Sequence, residues 1–401
     1  MTVHYATYSK PLRAALWAVD HFLALRGAPK SASTAVPAAP VRILVCNQAH
    51  LGDAILATAI IPALRAAYPQ AEIGFLVNPG SRPVVDANPQ IRWVHAVEHW
   101  HLIRGDVSIA KRIRRHRTSH RAVLRDIRAV GYQLAIDLHP YFPNSIPLLR
   151  QSGIECLVGW NSAGFGQWLD LAATDDGTPI NALDRHARIL ALMGIVIDAA
   201  SLRPQLHLSE HGIAGWQRQV RRFGINEGFV GAHIGAHAAH RRWPAAQWAE
   251  VVADLGGRGH QVVLMGHGAD EVELGRAIAA ACPQAIDLCG QLGWDELLAA
   301  IAASGVLLSH DSAAAHLAAA FDRPRVCIAT GIHDLRVWLR ASQHSVVLSQ
   351  PVACAPCGQI SGCESMACLR GVAGQAVTEA AIRLLEPLRP DGQRPVARMM
   401  S

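Results

Sequence analysis

Residues 306–320 constrain the fold more than any other stretch of this chain. A short apolar strand beginning Val306-Leu307-Leu308 breaks at the polar pair Asp311-Ser312, and an alanine-rich helical run follows at once. Ser312 or Asp311 can serve as the N-cap of that helix. Its first turns carry Ala313, Ala314 and Ala315, so another group can approach the backbone N–H donors closely. A helix N-terminus with exposed donors and a positive dipole end suits an anion such as a diphosphate. In an open α/β sheet, ligands also bind at the carboxyl ends of strands. An ordinary well-capped strand-to-helix turn would look the same, and the stretch alone leaves both readings open.

The same pattern recurs along the chain. An apolar strand at 41–46 leads through a loop at 47–52 into a helix opened by Asp53. Further strands are expected at 72–77, 93–97, 132–138 and 154–158, with a helix at 184–193. Residues 203–208 read as an extended crossover, after which the pattern restarts with strands at 229–234, 262–265, 285–288 and 326–329 and helices from 245 and over 294–303. Alternating strands and helices predict parallel sheets covered on both faces. Two similar halves predict an α/β chain of two Rossmann-like domains facing a central cleft. The expected boundaries are an extension and linker at 1–40, one domain at 41–205, a second at 206–388 and a tail at 389–401. Within the extension, the amphipathic segment 11–25 is expected to pack on the body.

Composition narrows the partners. The 401 residues are 51% hydrophobic and 17% charged, which describes a globular chain. No apolar run is long enough for a membrane span, and residues 1–40 lack the pattern of a signal peptide. A cytoplasmic location is therefore expected. The formal net charge of +6 favours anionic partners. With 5% aromatic residues and no recognisable nucleic-acid-binding motif, nucleic acid is not among the expected partners. The charge concentrates in residues 104–128, where nine Lys or Arg residues, Arg112, Arg115 and Arg117 among them, meet only Asp106 and Asp126. A run of one sign suits an acceptor bearing phosphates or carboxylates, although most such runs are simply solvated faces.

Several blocks resemble a known family in order and spacing. They are Leu51-Gly52-Asp53, with its helix running to Pro62-Ala63-Leu64-Arg65 and then Tyr68-Pro69; His233 to Gly235; Arg241 to Pro244 with Trp248; Gly266 to Glu271; and Asp311-Ser312 with His316-Leu317-Ala318. Together they resemble the bacterial heptosyltransferases, glycosyltransferase family 9, over roughly residues 41–385. The resemblance implies a GT-B fold, an ADP-heptose donor and transfer to the inner core of lipopolysaccharide. It implies Asp53 as general base, and Gly235, Arg241, Asp311, Ser312 and His316 as donor-site residues, with Asp270 or Glu271 at the nucleoside. The chain departs from the family at Asn47 and Gln48, where a basic residue is common, and at Ala313, where glycine is common.

The chemistry can also be argued without the family. Inverting sugar transfer needs a carboxylate to take the acceptor hydroxyl proton and cationic or N–H groups to meet the departing diphosphate. Asp53 suits the first role, and Arg241 with the helix near Ser312 suits the second, so no metal is required for the chemistry. Cys354, Cys357, Cys363 and Cys368 stand close enough in sequence to hold a structural zinc or iron. Three rival readings stay open: a protein O-heptosyltransferase of the autotransporter type, a GT-B sugar-nucleotide epimerase, and a non-catalytic nucleotide-sugar binding module. Peripheral contact with the cytoplasmic membrane is a further expectation.

Overall fold

The computed structural model describes residues 4–7, 9–26, 36–103, 107–340 and 342–386. Arg104, Asp106, most of the linker and the tail lie outside the described residues. The chain divides after Leu206 into two compact units, each built on one sheet.

Unit 1 holds β1 (Arg42–Asn47), β2 (Glu72–Val77), β3 (Ile91–Ala96), β4 (Leu134–Asp137), β5 (Cys156–Trp160) and β6 (Leu171–Ala173). They pair in the order β3-β2-β1-β4-β5-β6, all parallel. Ile43, Leu44, Val45 and Cys46 of β1 are all buried, as expected where helices cover both faces of a parallel sheet. The Lys10–Leu25 helix packs on this unit through Leu16 and Asp20, and the Asp20 carboxylate accepts a 2.8 Å bond from the Tyr5 hydroxyl.

Unit 2 holds β7 (Val230–His233), β8 (Val262–Met265), β9 (Ile286–Asp287), β10 (Val306–His310), β11 (Arg325–Ile328) and β12 (Ser345–Leu348). Their order, β12-β11-β10-β7-β8-β9, repeats that of unit 1, again wholly parallel. Its core joins Val230, Leu264, Val306 and Val326 from the strands to Trp243, Trp248 and Val377 from the covering segments.

Three details differ from the sequence expectation. The helix expected to open at Asp53 begins at Leu51, passes through a 3-10 turn at Thr58–Ile60 and resumes at Ile61, where Pro62 occupies the first turn. The strand expected at 285–288 shortens to two residues. Strands β6 and β12 were not anticipated. Both are edge strands of three or four residues with partly covered side chains, so neither carries the continuous apolar run of a central strand.

The β2 backbone is packed tightly enough to demand glycine. A Cβ on Gly74 would collide with the Tyr132 hydroxyl, which shares a 2.9 Å hydrogen bond with Nε2 of buried His95. Gly74→Ala is therefore expected to destabilise unit 1 by about 1–3 kcal/mol through overpacking. Urea unfolding followed by circular dichroism checks this; a midpoint equal to wild type would contradict the tight packing.

Candidate functional site

The sheet order reverses direction between β1 and β4 in unit 1 and between β7 and β10 in unit 2. Helices leaving two such neighbouring strands go to opposite faces and open a crevice at the carboxyl ends. Asp53 follows β1, and Asp311 and Ser312 follow β10, at these two places.

In unit 2, His310 ends β10 and ties the crevice together. Its Nδ1–H donates to the Gly235 carbonyl at 3.0 Å, and its Nε2 accepts the Trp243 backbone N–H at 2.8 Å. Both ring nitrogens are thereby used by a neutral imidazole, and burial lowers the pKa to about 4, against a smaller upward pull from the Gly235 carbonyl. Trp248 packs edge-on to the same ring. Gly235 leaves no room for a side chain, because a Cβ there would collide with the Glu271 carboxylate. Glu271 sits in the first turn of the Ala269–Ala281 helix and accepts the His267 N–H at 2.8 Å. Asp270 is turned outward and paired with Arg242 at 3.0 Å.

Asp311 and Ser312 follow β10 and precede the Ala313–Ala320 helix. Ser312 is the N-cap in extended conformation, but its side chain makes no capping bond. Among the described residues its buried hydroxyl has no partner, and neither do Nδ1 of His233 and Nε2 of His240. Buried polar atoms are nearly always satisfied, so a water or a bound group is expected to reach these. Desolvation raises the pKa of Asp311, while the nearby Arg241 guanidinium opposes that rise. His316 lies on the buried face of the helix and is held neutral, with a pKa lowered to about 4 by burial and then by Arg325.

In unit 1, the loop after β1 is fastened from both sides. Asn47 accepts the Ala49 N–H and donates to the Asp53 carbonyl, and Asn78 donates to the Ala49 carbonyl. Asp53 is the third residue of the Leu51–Ala57 helix, and its Oδ2 accepts the His50 N–H at 3.1 Å. Burial pushes its pKa up to about 6, against the lowering effect of that bond. The adjoining loop leaves β4, whose Asp137 pairs in register with Cys46. The Asp137 carboxylate holds this loop by accepting the Ser145 and His139 N–H groups.

Beside Asp53 stands a polar cluster that the sequence reading did not single out. Arg185 is buried, donates to the Tyr141 hydroxyl at 2.8 Å and pairs with buried Asp175 at 3.8 Å. His139 is also buried, with a pKa lowered to about 3 by desolvation and then by His50 and Arg185. The Asp53 charge in turn contributes to the raised pKa of Tyr141. Residues 182, 185, 186, 189 and 190 fall on one helical face, so the period placed Arg185 and His186 among apolar neighbours. That was the available signal.

The arginines at 112, 115 and 117 lie on the Ile109–Val130 helix. Arg115 is paired with Glu98, and Arg112 donates to the Val107 carbonyl at 2.8 Å. Arg117 lines an open groove on the surface. Among the four clustered cysteines, Cys368 is buried in the core, Cys357 is half-buried, and Cys354 and Cys363 are exposed. Cys357 and Gly358 donate to the Gly331 and Ile332 carbonyls, which lays this loop along the end of β11. No group of three or more His, Cys, Asp or Glu residues among the described residues is arranged to hold a metal ion. As placed, these thiols do not form the tetrahedral set that their spacing suggested.

Two parallel α/β units of this topology are the architecture of the GT-B glycosyltransferases. The sequence profile of glycosyltransferase family 9 (heptosyltransferase) matches residues 120–364, and the chain belongs to that family of enzymes. Lipopolysaccharide heptosyltransferase 2 of Escherichia coli is 27% identical over 301 residues, spanning 72% of this chain and 82% of the relative. A glycosyl transferase family 9 structure from Veillonella parvula superposes with a TM-score of 0.71 at 22% identity, covering 88% of this chain and 99% of that one. The structure of Escherichia coli ADP-heptose lps heptosyltransferase II gives 0.65 at 24% identity, covering 86% and 98%.

His310→Phe keeps the ring volume but leaves the Gly235 carbonyl and the Trp243 N–H unpaired in the interior. It is expected to cost about 2–6 kcal/mol, since each of the two buried unpaired groups costs about 1–3 kcal/mol. Denaturant unfolding measures this, and a loss below about 1 kcal/mol would show that His310 does not brace the crevice.

Proposed function

We propose that this chain transfers heptose from ADP-heptose to a lipopolysaccharide inner-core acceptor, with inversion and with Asp53 as the general base. The observation that carries the proposal is the state of Asp53. It is a fixed carboxylate at the switch point of unit 1 with a pKa near 6. Such a group is mostly ionised at pH 7, yet more basic than an ordinary aspartate, as proton abstraction requires. Support for donor and acceptor comes from the names of the relatives: a lipopolysaccharide heptosyltransferase at 27% identity, and an Escherichia coli heptosyltransferase of similar fold (TM-score 0.62, 16% identity) solved with ADP-2-deoxy-2-fluoro heptose.

In this scheme the acceptor hydroxyl oxygen attacks the anomeric carbon while Asp53 takes its proton. The bond from that carbon to the diphosphate oxygen breaks, and ADP leaves with the electron pair. Arg241 and the N–H donors beginning at Ala313, beside Ser312 and Asp311, receive the diphosphate charge. Gly235 lets the Glu271 carboxylate lie against the donor-side loop, Glu271 or Asp270 meets the nucleoside, and His316 supports the helix from its buried side. The scheme calls on no metal. Arg117, flanked by Arg112 and Arg115, attracts the anionic acceptor. All nine cysteines are free, which suits a reducing cytoplasm. Among the described residues no helix is long and apolar enough to cross a membrane.

Asp53→Asn should lower kcat by roughly 10²–10⁴-fold, the usual worth of general-base catalysis, with ADP-heptose affinity near wild type. In the wild type, kcat should fall about tenfold per pH unit below about 6, as the carboxylate takes up its proton. The folded-state pKa is raised, so stability falls as pH rises through that range, and asparagine removes the cost of the buried charge. The Tm of the variant at pH 8 should therefore equal or exceed wild type. A near-normal kcat would assign Asp53 to helix initiation alone.

Arg241→Ala should weaken ADP binding by about 1.5–3 kcal/mol, the loss of a charge-assisted bond. Titration calorimetry tests this, and wild-type ADP affinity would contradict the assignment.

A further inference from the structure

The Ile109–Val130 helix carries a stripe of apolar residues and histidines whose first members, Ile109 and Ile113, are exposed. Ile109, Ile113, His116, His120, Val123 and Ile127 recur at alternating steps of four and three, which places them on one face. The far half of that stripe is buried, with Val123 at 6% and Ile127 at 0% exposure. The near half is open, with Ile109 at 68% and Ile113 at 42%. Trp100, also partly exposed, stands opposite, and between the two runs a groove of about 580 Å³ that Arg117 and Arg121 also line.

The charge around the groove has one sign. No Asp or Glu occurs between Val107 and Arg125. Glu98, the carboxylate that approaches this helix, is taken up by Arg115, and its carbonyl accepts Nδ1–H of His116 at 2.8 Å. Arg114, Arg117 and Arg121 are exposed.

We propose that this surface docks the protein on an anionic phospholipid bilayer. Trp100, Ile109 and Ile113 enter the interfacial layer, and Arg114, Arg117 and Arg121 meet the lipid phosphates. A bilayer offers both halves of the match, an apolar layer with dense negative charge directly above it, and long arginine stems can reach from one to the other. An acidic protein would match the arginines but would leave Ile109 and Ile113 without an apolar partner. This inference does not depend on the donor; it shares Arg117 with the acceptor role proposed above, and vesicles without acceptor separate the two.

The test is flotation of the full chain with large unilamellar vesicles, without sugar nucleotide. Vesicles containing phosphatidylglycerol and phosphatidylethanolamine are compared with vesicles of phosphatidylcholine alone. Binding should favour the anionic vesicles at least tenfold and weaken in high salt. Arg117→Ser with Arg121→Ser should lower the partition coefficient about 25-fold, near fivefold for each charge removed. Ile109→Ser with Ile113→Ser should also lower it at least about tenfold, because apolar burial contributes to interfacial binding. Both positions are exposed, so Tm should not move. Equal binding to both lipid mixtures, or wild-type binding by either double variant, would overturn the proposal. So would a loss confined to changes at Trp17, Phe22 and Leu25, exposed apolar residues of the Lys10–Leu25 helix. Lipid-free dimerisation abolished by Ile113→Ser would overturn it as well, by making the stripe a contact between copies.

Discussion

The constraint on which the rest depends is the parallel pairing of both sheets. Parallel neighbours cannot be joined by a hairpin, so each connection must cross over a face. In both units the strand order begins in the middle and grows outward first one way and then the other. The two central strands therefore send their chains to opposite faces, and the ends of β1 and β4, or of β7 and β10, stand beside an unfilled crevice. Asp53 and Tyr141 occupy one such place, Gly235 and Ser312 the other. No special motif is needed to put them there.

What is special is how each crevice is kept polar without collapsing. In unit 2 a neutral His310 spends both ring nitrogens on backbone groups of the loop after β7, so the loop is held while the hydroxyl of Ser312 stays unpaired. In unit 1 the carboxylates of Asp53 and Asp137 are each desolvated, and each is held by backbone N–H groups, with no cation bonded to either among the described residues. The one buried arginine nearby, Arg185, is matched by Asp175 and Tyr141. Asp53 therefore keeps a raised pKa, where a direct ion pair would have lowered it. A carboxylate of this kind costs stability in its ionised form, which suits the role proposed for Asp53.

Much of this was legible in the sequence. The central strands read clearly because they are buried on both faces and therefore apolar throughout, as in Ile43 to Cys46. Strands β6 and β12 did not, because an edge strand is half-covered and its composition resembles that of a loop. The placement of Asp53 after β1 and of Asp311-Ser312 after β10 followed from the strand-to-helix pattern. His310 was hidden because its partners, Gly235 and Trp243, lie about seventy residues away in the chain, and no local period reports such a contact. The cysteine spacing was silent on side-chain direction. Proximity in sequence says nothing of direction, and Cys368 turns into the core while Cys354 and Cys363 face outward.

The central claim is that the chain transfers heptose from ADP-heptose to a core acceptor, and it is tested most directly by product analysis. The full chain is incubated with ADP-heptose and heptose-deficient core oligosaccharide, and both products are followed by mass spectrometry. The account predicts an acceptor heavier by one heptosyl residue and an equal amount of ADP released. An isomerised donor with the acceptor unchanged, or heptose appearing only on added acceptor protein, would contradict it.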